Sequence, residues 1–146
     1  MSTAVTPVTP AAPATMFDPS KVFAMWCSYG DLERLSVKDK ARVVGLLQKQ
    51  VEPLADHIGE TITIEHLVVH NVEMADEDGV AFEAARLVLV QPDGTAFGCV
   101  SEGARRSVGL LAQFYGMPPW KGGIKAKIEQ VTTRRGFRTF ILTPVE

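Results

Sequence analysis

Cysteine is scarce. Cys27 and Cys99 are the only two in 146 residues, with no Cys-x-x-Cys or zinc-ribbon spacing, so neither a disulfide framework nor a structural zinc site is expected. They read as small apolar thiols of a reducing compartment, and a bond between the two stays open at this stage. Histidine is almost as rare. His66 and His70 share one face of a predicted strand but lie about 13 Å apart at about 3.3 Å per residue, too far for one zinc ion. They and His57 read as ordinary, satisfied histidines. No run approaches the roughly 18 apolar residues of a membrane helix. The first residues lack a basic stretch followed by an apolar block, so no secretory signal is expected and the chain reads as cytoplasmic. Gly-x-Ser-x-Gly, Walker and dinucleotide fingerprints are missing, and Gly122-Gly123 has no helix behind it to cradle a phosphate. Asp76, Glu77 and Asp78 resemble a cation loop only faintly, and turn chemistry accounts for them. The sequence therefore predicts no enzyme, no metal site and no cofactor.

What is present is a chain of ordinary apolar content, 46%, enough for one domain with a core. Its net charge of −2 hides an asymmetry. Residues 1–58 carry six acids and six bases, residues 59–101 eight acids and one base (Arg86), and residues 102–146 three acids and eight bases. A basic region in an otherwise acidic chain points to a directed electrostatic surface. The alternative is strand edges with solvated lysines and arginines.

Residues 1–20 are rich in Thr, Ala, Val and Pro and read as a disordered tail. Residues 21–59 read as an N-terminal helical extension. Within it, the apolar stretch at 21–29 is compatible with a short strand or a short helix. Ser36 is a cap for a helix with Val43, Val44, Leu46, Leu47 and Val51 on its stripe, interrupted near Pro53 and stopped at Gly59. The third segment, residues 60–146, is the candidate binding domain. A long first strand is expected over 61–74, with Ile62, Ile64, Val68, Val72 and Met74 on one face. Leu67 and Val69 break the alternation, which predicts burial on both faces or a bulge. Turns at 76–79 and 92–94 separate a second and a short third strand. Ser101 caps a helix that Gly116 ends, with Pro118-Pro119 beyond. Ile124, Ala126 and Ile128 alternate with Lys125, Lys127 and Glu129 in a fourth strand. Residues 133–136 turn into a fifth.

The expected fold class is therefore mainly β with helices: a five-stranded OB-like barrel with a helix between strands 3 and 4 and an added N-terminal helical segment. OB barrels commonly bind oligonucleotides. An acidic Asp-Gly hairpin at 77–79, a second Asp-Gly turn (Asp93-Gly94) and a Ser101-x-Gly103-x-x-x-Ser107 helix entry follow one another. After them come a Gly116-x-Pro118-x-Trp120 exit and a closing basic hairpin. Through this order, residues 62–142 resemble bacteriophage-encoded single-stranded DNA-binding proteins. The resemblance implies an OB fold, replication-associated binding to single strands, oligomerisation and a host-cell cytoplasmic location. The chain departs from many single-strand binders in ending Thr-Pro-Val-Glu, without a strongly acidic tip.

A single-strand binder requires cations along the phosphates and aromatic planes under the bases. The candidates are Arg105, Arg106, Lys121, Lys125, Lys127, Arg134, Arg135 and Arg138 for phosphate, and Trp120 and Phe137 for stacking. Trp120 is equally readable as a core plug, and of Phe137 and Phe140, which face opposite ways, at most one stacks. The acidic stretch from Glu60 to Asp93 either disfavours duplex or neutralises a basic face of a neighbouring subunit. Expected partners are single-stranded DNA (with RNA open), further copies of the chain and a polymerase or replication protein, with no membrane. A rival reading is an oligomeric protein-interaction module that regulates a phage or host polymerase. A nucleic-acid enzyme would require a carboxylate cluster that the sequence lacks.

Overall fold

The computed structural model describes residues 25–48 and 51–146, apart from the side chains of Leu32 and Glu83. The tail expected over 1–20 lies outside the described residues. In chain order the elements are β1 (Met25–Cys27), a 3-10 turn (Leu32–Arg34), α1 (Val37–Gln48), β2 (Glu52–Pro53) and a second 3-10 turn (Leu54–His57). There follow β3 (Thr61–Ile64), β4 (His66–Ala75), β5 (Ala81–Val90), β6 (Ala96–Cys99), α2 (Glu102–Tyr115), β7 (Ile124–Thr132) and β8 (Arg138–Pro144). The described chain is thus mainly β with two α-helices.

The strands form two sheets, one ordered β1-β4-β5-β6-β2 and the other β3-β7-β8. Among the described residues no ladder joins them into the single closed five-stranded barrel expected from sequence. The physical reason lies on α2. The Phe140 and Leu142 N–H groups of β8 donate to Ser101 Oγ at 3.2 Å and to Ser107 Oγ at 3.0 Å. Part of the β8 edge is therefore satisfied by side chains of the helix rather than by another strand. The segment before β3 supplies two edge strands as well as α1. Pro53, which lacks a donor, sits in β2 at the sheet's edge, where that lack is tolerated.

The predicted long first strand is broken at Glu65. Its N–H donates to the Val90 carbonyl at 2.8 Å, and its own carbonyl accepts from Trp120 N–H at 2.9 Å. The break moves the chain from one sheet to the other and shifts the pattern by one residue. Such a slip exchanges the faces of a strand. Ile62 and Ile64 of β3 therefore share the main core with Leu67 and Val69 of β4, whereas Val68 faces the other way. This corrects the single even-numbered face read from the sequence.

The main core is enclosed by the two sheets and α2, with Leu87, Leu89, Val108, Leu111, Ile128 and Leu142 among its members. On the far face of the five-stranded sheet, Val43 and Leu46 of α1 cover Val68, Val88 and Val90. Burial of both faces explains the continuous apolar runs in β4 and β5. Ser36 Oγ accepts the Asp39 N–H at 3.1 Å, capping α1. Two histidines are held at this level. His66 hydrogen-bonds Ser28 Oγ at 2.9 Å and stacks on Tyr29 at 3.9 Å. His70 lies 3.4 Å from the Arg86 guanidinium. Burial pushes the pKa of both below the ordinary histidine value, with Arg86 adding to the effect at His70.

Candidate nucleic-acid interface

The entry to α2 determines where the basic residues lie. Ser101 Oγ accepts the Ala104 N–H at 3.2 Å and contacts Thr139 Oγ1 at 3.0 Å. The Gly103 N–H donates to the same Thr139 oxygen at 3.0 Å. Gly103 has no room for a side chain, because a Cβ there would lie 2.4 Å from the Phe140 carbonyl oxygen. Ser101, Gly103 and Ser107 thus clamp the helix onto β8. At the other end, Gly116 adopts φ +85° and stops the helix.

A groove of about 820 Å³ opens beside this clamp. Its walls are the start of β5, the first turns of α2 and the β7–β8 turn. Five arginines line it (Arg105, Arg106, Arg134, Arg135 and Arg138) against a single described carboxylate, Glu102. The Arg134-Arg135 turn is fixed by Thr133, whose N–H donates to the Phe137 carbonyl at 2.7 Å and whose carbonyl accepts the Gly136 N–H at 2.9 Å. Among the described residues Arg106, Arg134, Arg135 and Arg138 make no ion pair. All four are exposed, whereas Arg105 is buried. Two rings face the same space, Phe137 at 66% exposure and Phe82 at 45%. Phe140 also lines the groove but packs in part against the core.

Six of the ten residues singled out from sequence meet in this groove: Arg105, Arg106, Arg134, Arg135, Phe137 and Arg138. Three others lie elsewhere. Trp120, Lys121 and Lys125 line a second hollow of about 540 Å³ near the end of α2. Trp120 is only 5% exposed there, and its indole N–H donates to the Gly116 carbonyl at 2.7 Å. Its ring belongs to the core cluster, which removes it from the surface available to a base. Lys127 is exposed on β7, paired with Thr61 and Thr143, and lines neither hollow. Phe82 was missed by sequence reasoning. Its one signal was an aromatic residue at the solvent end of a hairpin strand, beside the acidic turn.

Unpaired arginines and exposed rings around one open groove suit a flexible polyanion that carries flat faces. Residues 34–143, well over half of the chain, match the family described as phage single-stranded DNA-binding protein, and the chain belongs to that family. No curated protein and no solved structure shows a match to it. No helix among the described residues is long and apolar enough to cross a membrane.

Proposed function

We propose that the chain is a non-enzymatic, sequence-tolerant single-stranded DNA-binding protein of phage replication, and that the groove between α2 and the β7–β8 turn is its binding site. Arg106, Arg134, Arg135 and Arg138 neutralise phosphates, with Arg105 beneath them. Phe137 and Phe82 stack on bases. The observation that carries this reading is the convergence of four exposed, unpaired arginines and two exposed rings on one groove, in a chain of this family.

The architecture supports an OB-like assignment. The bent β3–β4 segment would be the first strand and β5, β6, β7 and β8 the other four, with the two sheets standing in for a closed barrel. The groove then reaches from Phe82, just past the turn at 76–80, to the turn at 133–137. These turns correspond to the two loops that flank the oligonucleotide site of such barrels. A groove lined by arginine and phenylalanine reads charge and ring planes rather than base edges, hence the tolerance of sequence.

Replacing Arg134, Arg135 and Arg138 together by alanine tests the assignment. Each phosphate contact on a single strand contributes about 0.7 to the slope of log affinity against log salt. The triple variant should lose about 2 from that slope, while Phe137→Ala should weaken binding with the slope retained. Wild-type slopes and affinities in both variants would remove the groove from the contact surface and favour the protein-interaction reading.

A further inference from the structure

The second hollow and the acidic hairpin are left without a role by the groove. The hollow is lined by Tyr115, Lys121, Lys125 and Glu146 among others, two cations against one side-chain carboxylate. Beside it the end of α2 presents Leu110 at 51%, Phe114 at 82% and Tyr115 at 56% exposure. A run of exposed apolar residues on one helix end is a common mark of an interaction surface. The tip of the β4–β5 hairpin is its complement in charge. Asp76, Glu77 and Asp78 are all exposed there, flanked by Met74 and by Val80 at 60% exposure. The tip is rigidly built, since Asp76 Oδ1 accepts the N–H groups of both Asp78 and Val80 at 2.9 Å. Among the described residues Glu77 and Asp78 make no ion pair, and neither do Lys121 and Lys125.

We propose that the β4–β5 hairpin tip of one copy of this chain docks on the Lys121–Lys125 face of a second copy, so that molecules line up head to tail. Within one molecule the described residues of the two surfaces make no ion pair with each other. The first turn of α2 lines the groove together with Phe82 and Ala84 of the hairpin's second strand, whereas Tyr115 ends the helix at the other hollow. Tyr115 lies nine residues beyond Arg106, the last residue of α2 to line the groove, about 13 Å at the usual rise. A contact between unlike surfaces generates an open row unless its rotation happens to close, and an open row is the geometry that a linear strand accepts.

The inference rests on the single-strand reading of the groove for its effect on binding. Three carboxylates at the tip of the hairpin whose Phe82 lines the groove repel the strand. A neighbour's lysines neutralise them, so docking and strand binding reinforce each other. Such coupling acts equally in both directions. Lys121 and Lys125 are then assigned to the neighbour rather than to the strand.

Charge reversal tests the contact. One variant carries Glu77→Lys with Asp78→Lys, which leaves the capping Asp76 in place, and the other carries Lys121→Glu with Lys125→Glu. Sedimentation velocity without nucleic acid should show the mean mass of the wild type rising with concentration. Each variant alone should stay monomeric, and an equimolar mixture should associate again, because every contact then joins opposite charges. On DNA, the wild type should bind a long dT strand about tenfold or more tighter per site than a dT oligomer of about 12 nucleotides, which accommodates one molecule. That excess should vanish in each variant and return in the mixture. Binding to the short oligomer should be retained in Lys121→Glu with Lys125→Glu and strengthened in Glu77→Lys with Asp78→Lys, which removes two of the carboxylates that repel the strand. A wild type with neither self-association nor a length-dependent excess would overturn the proposal, as would a mixture that fails to recover. The sedimentation arm uses no nucleic acid, so it decides the contact even if the groove proves not to bind a strand.

Discussion

Gly103→Ala is the sharpest single substitution this fold allows. Alanine normally favours a helix over glycine by about 1 kcal/mol, so helix propensity alone predicts a more stable protein. The packing predicts the opposite. The new Cβ would stand 2.4 Å from the Phe140 carbonyl oxygen, 2.5 Å from Thr139 Oγ1 and 2.9 Å from Thr139 Cγ2. An ordinary contact requires about 1 Å more. The carbonyl cannot retreat easily, because Phe140 is held in the β8 ladder opposite Gln130. Moving the helix start instead stretches the bonds of Ser101 to Phe140 and of Gly103 to Thr139. Overpacking of this kind costs about 1–3 kcal/mol, and each loosened hydrogen bond adds about 0.5–1.5 kcal/mol. The balance is a net loss of about 1–5 kcal/mol after the helix gain is subtracted. Urea unfolding followed by tryptophan fluorescence and far-UV circular dichroism measures it. An unchanged or raised midpoint would refute the clamp as the reason for glycine here.

Other consequences follow from burial and charge. Trp120→Ala should lower stability by about 3–5 kcal/mol, the usual cost of truncating a buried tryptophan. A fully stable variant that had lost only DNA affinity would return Trp120 to the binding surface. His57 hydrogen-bonds Glu60 at 3.0 Å and Glu52 at 2.8 Å, and the two carboxylates raise its pKa above the ordinary value. Its contribution is therefore complete below about pH 6.5 and fades as pH rises through the raised pKa. His57→Gln should cost more stability at pH 5.5 than at pH 8.5, and an equal cost at both would show that the imidazolium is not what binds the two acids.

Local signals in the sequence carried much of the fold. Ser36 and Ser101 mark helix starts because a hydroxyl satisfies a free N–H there. Gly116 marks a stop because it accepts a positive φ. The turns at 76–79, 92–94 and 133–136 announce themselves through Asp, Pro and Gly for similar reasons. What could not be read was decided by distant partners. The break at Glu65 depends on Val90 and Trp120. The open edge between the sheets depends on where the hydroxyls of Ser101 and Ser107 point, so a motif that resembled a family signature proves to be the clamp of a helix on a strand.

The site was legible to a similar degree. The arginines of the β7–β8 turn and Phe137 are contiguous in sequence, so one turn brings them together. Arg106 joins them only because α2 is clamped to β8. Lys121 and Lys125 carry the same charge but lie near the far end of the helix, and composition cannot distinguish the two ends. Phe82 reaches the groove from a strand whose neighbours in sequence are mostly acidic.

The most direct test of the account is an anisotropy titration of labelled oligo-dT, its RNA counterpart and a matched duplex, each at two salt concentrations. Arg106, Arg134, Arg135 and Arg138 should give tight binding to the single DNA strand that weakens steeply with salt, and much weaker binding to the duplex. Equal affinity for strand and duplex, or no binding at low salt, would contradict it.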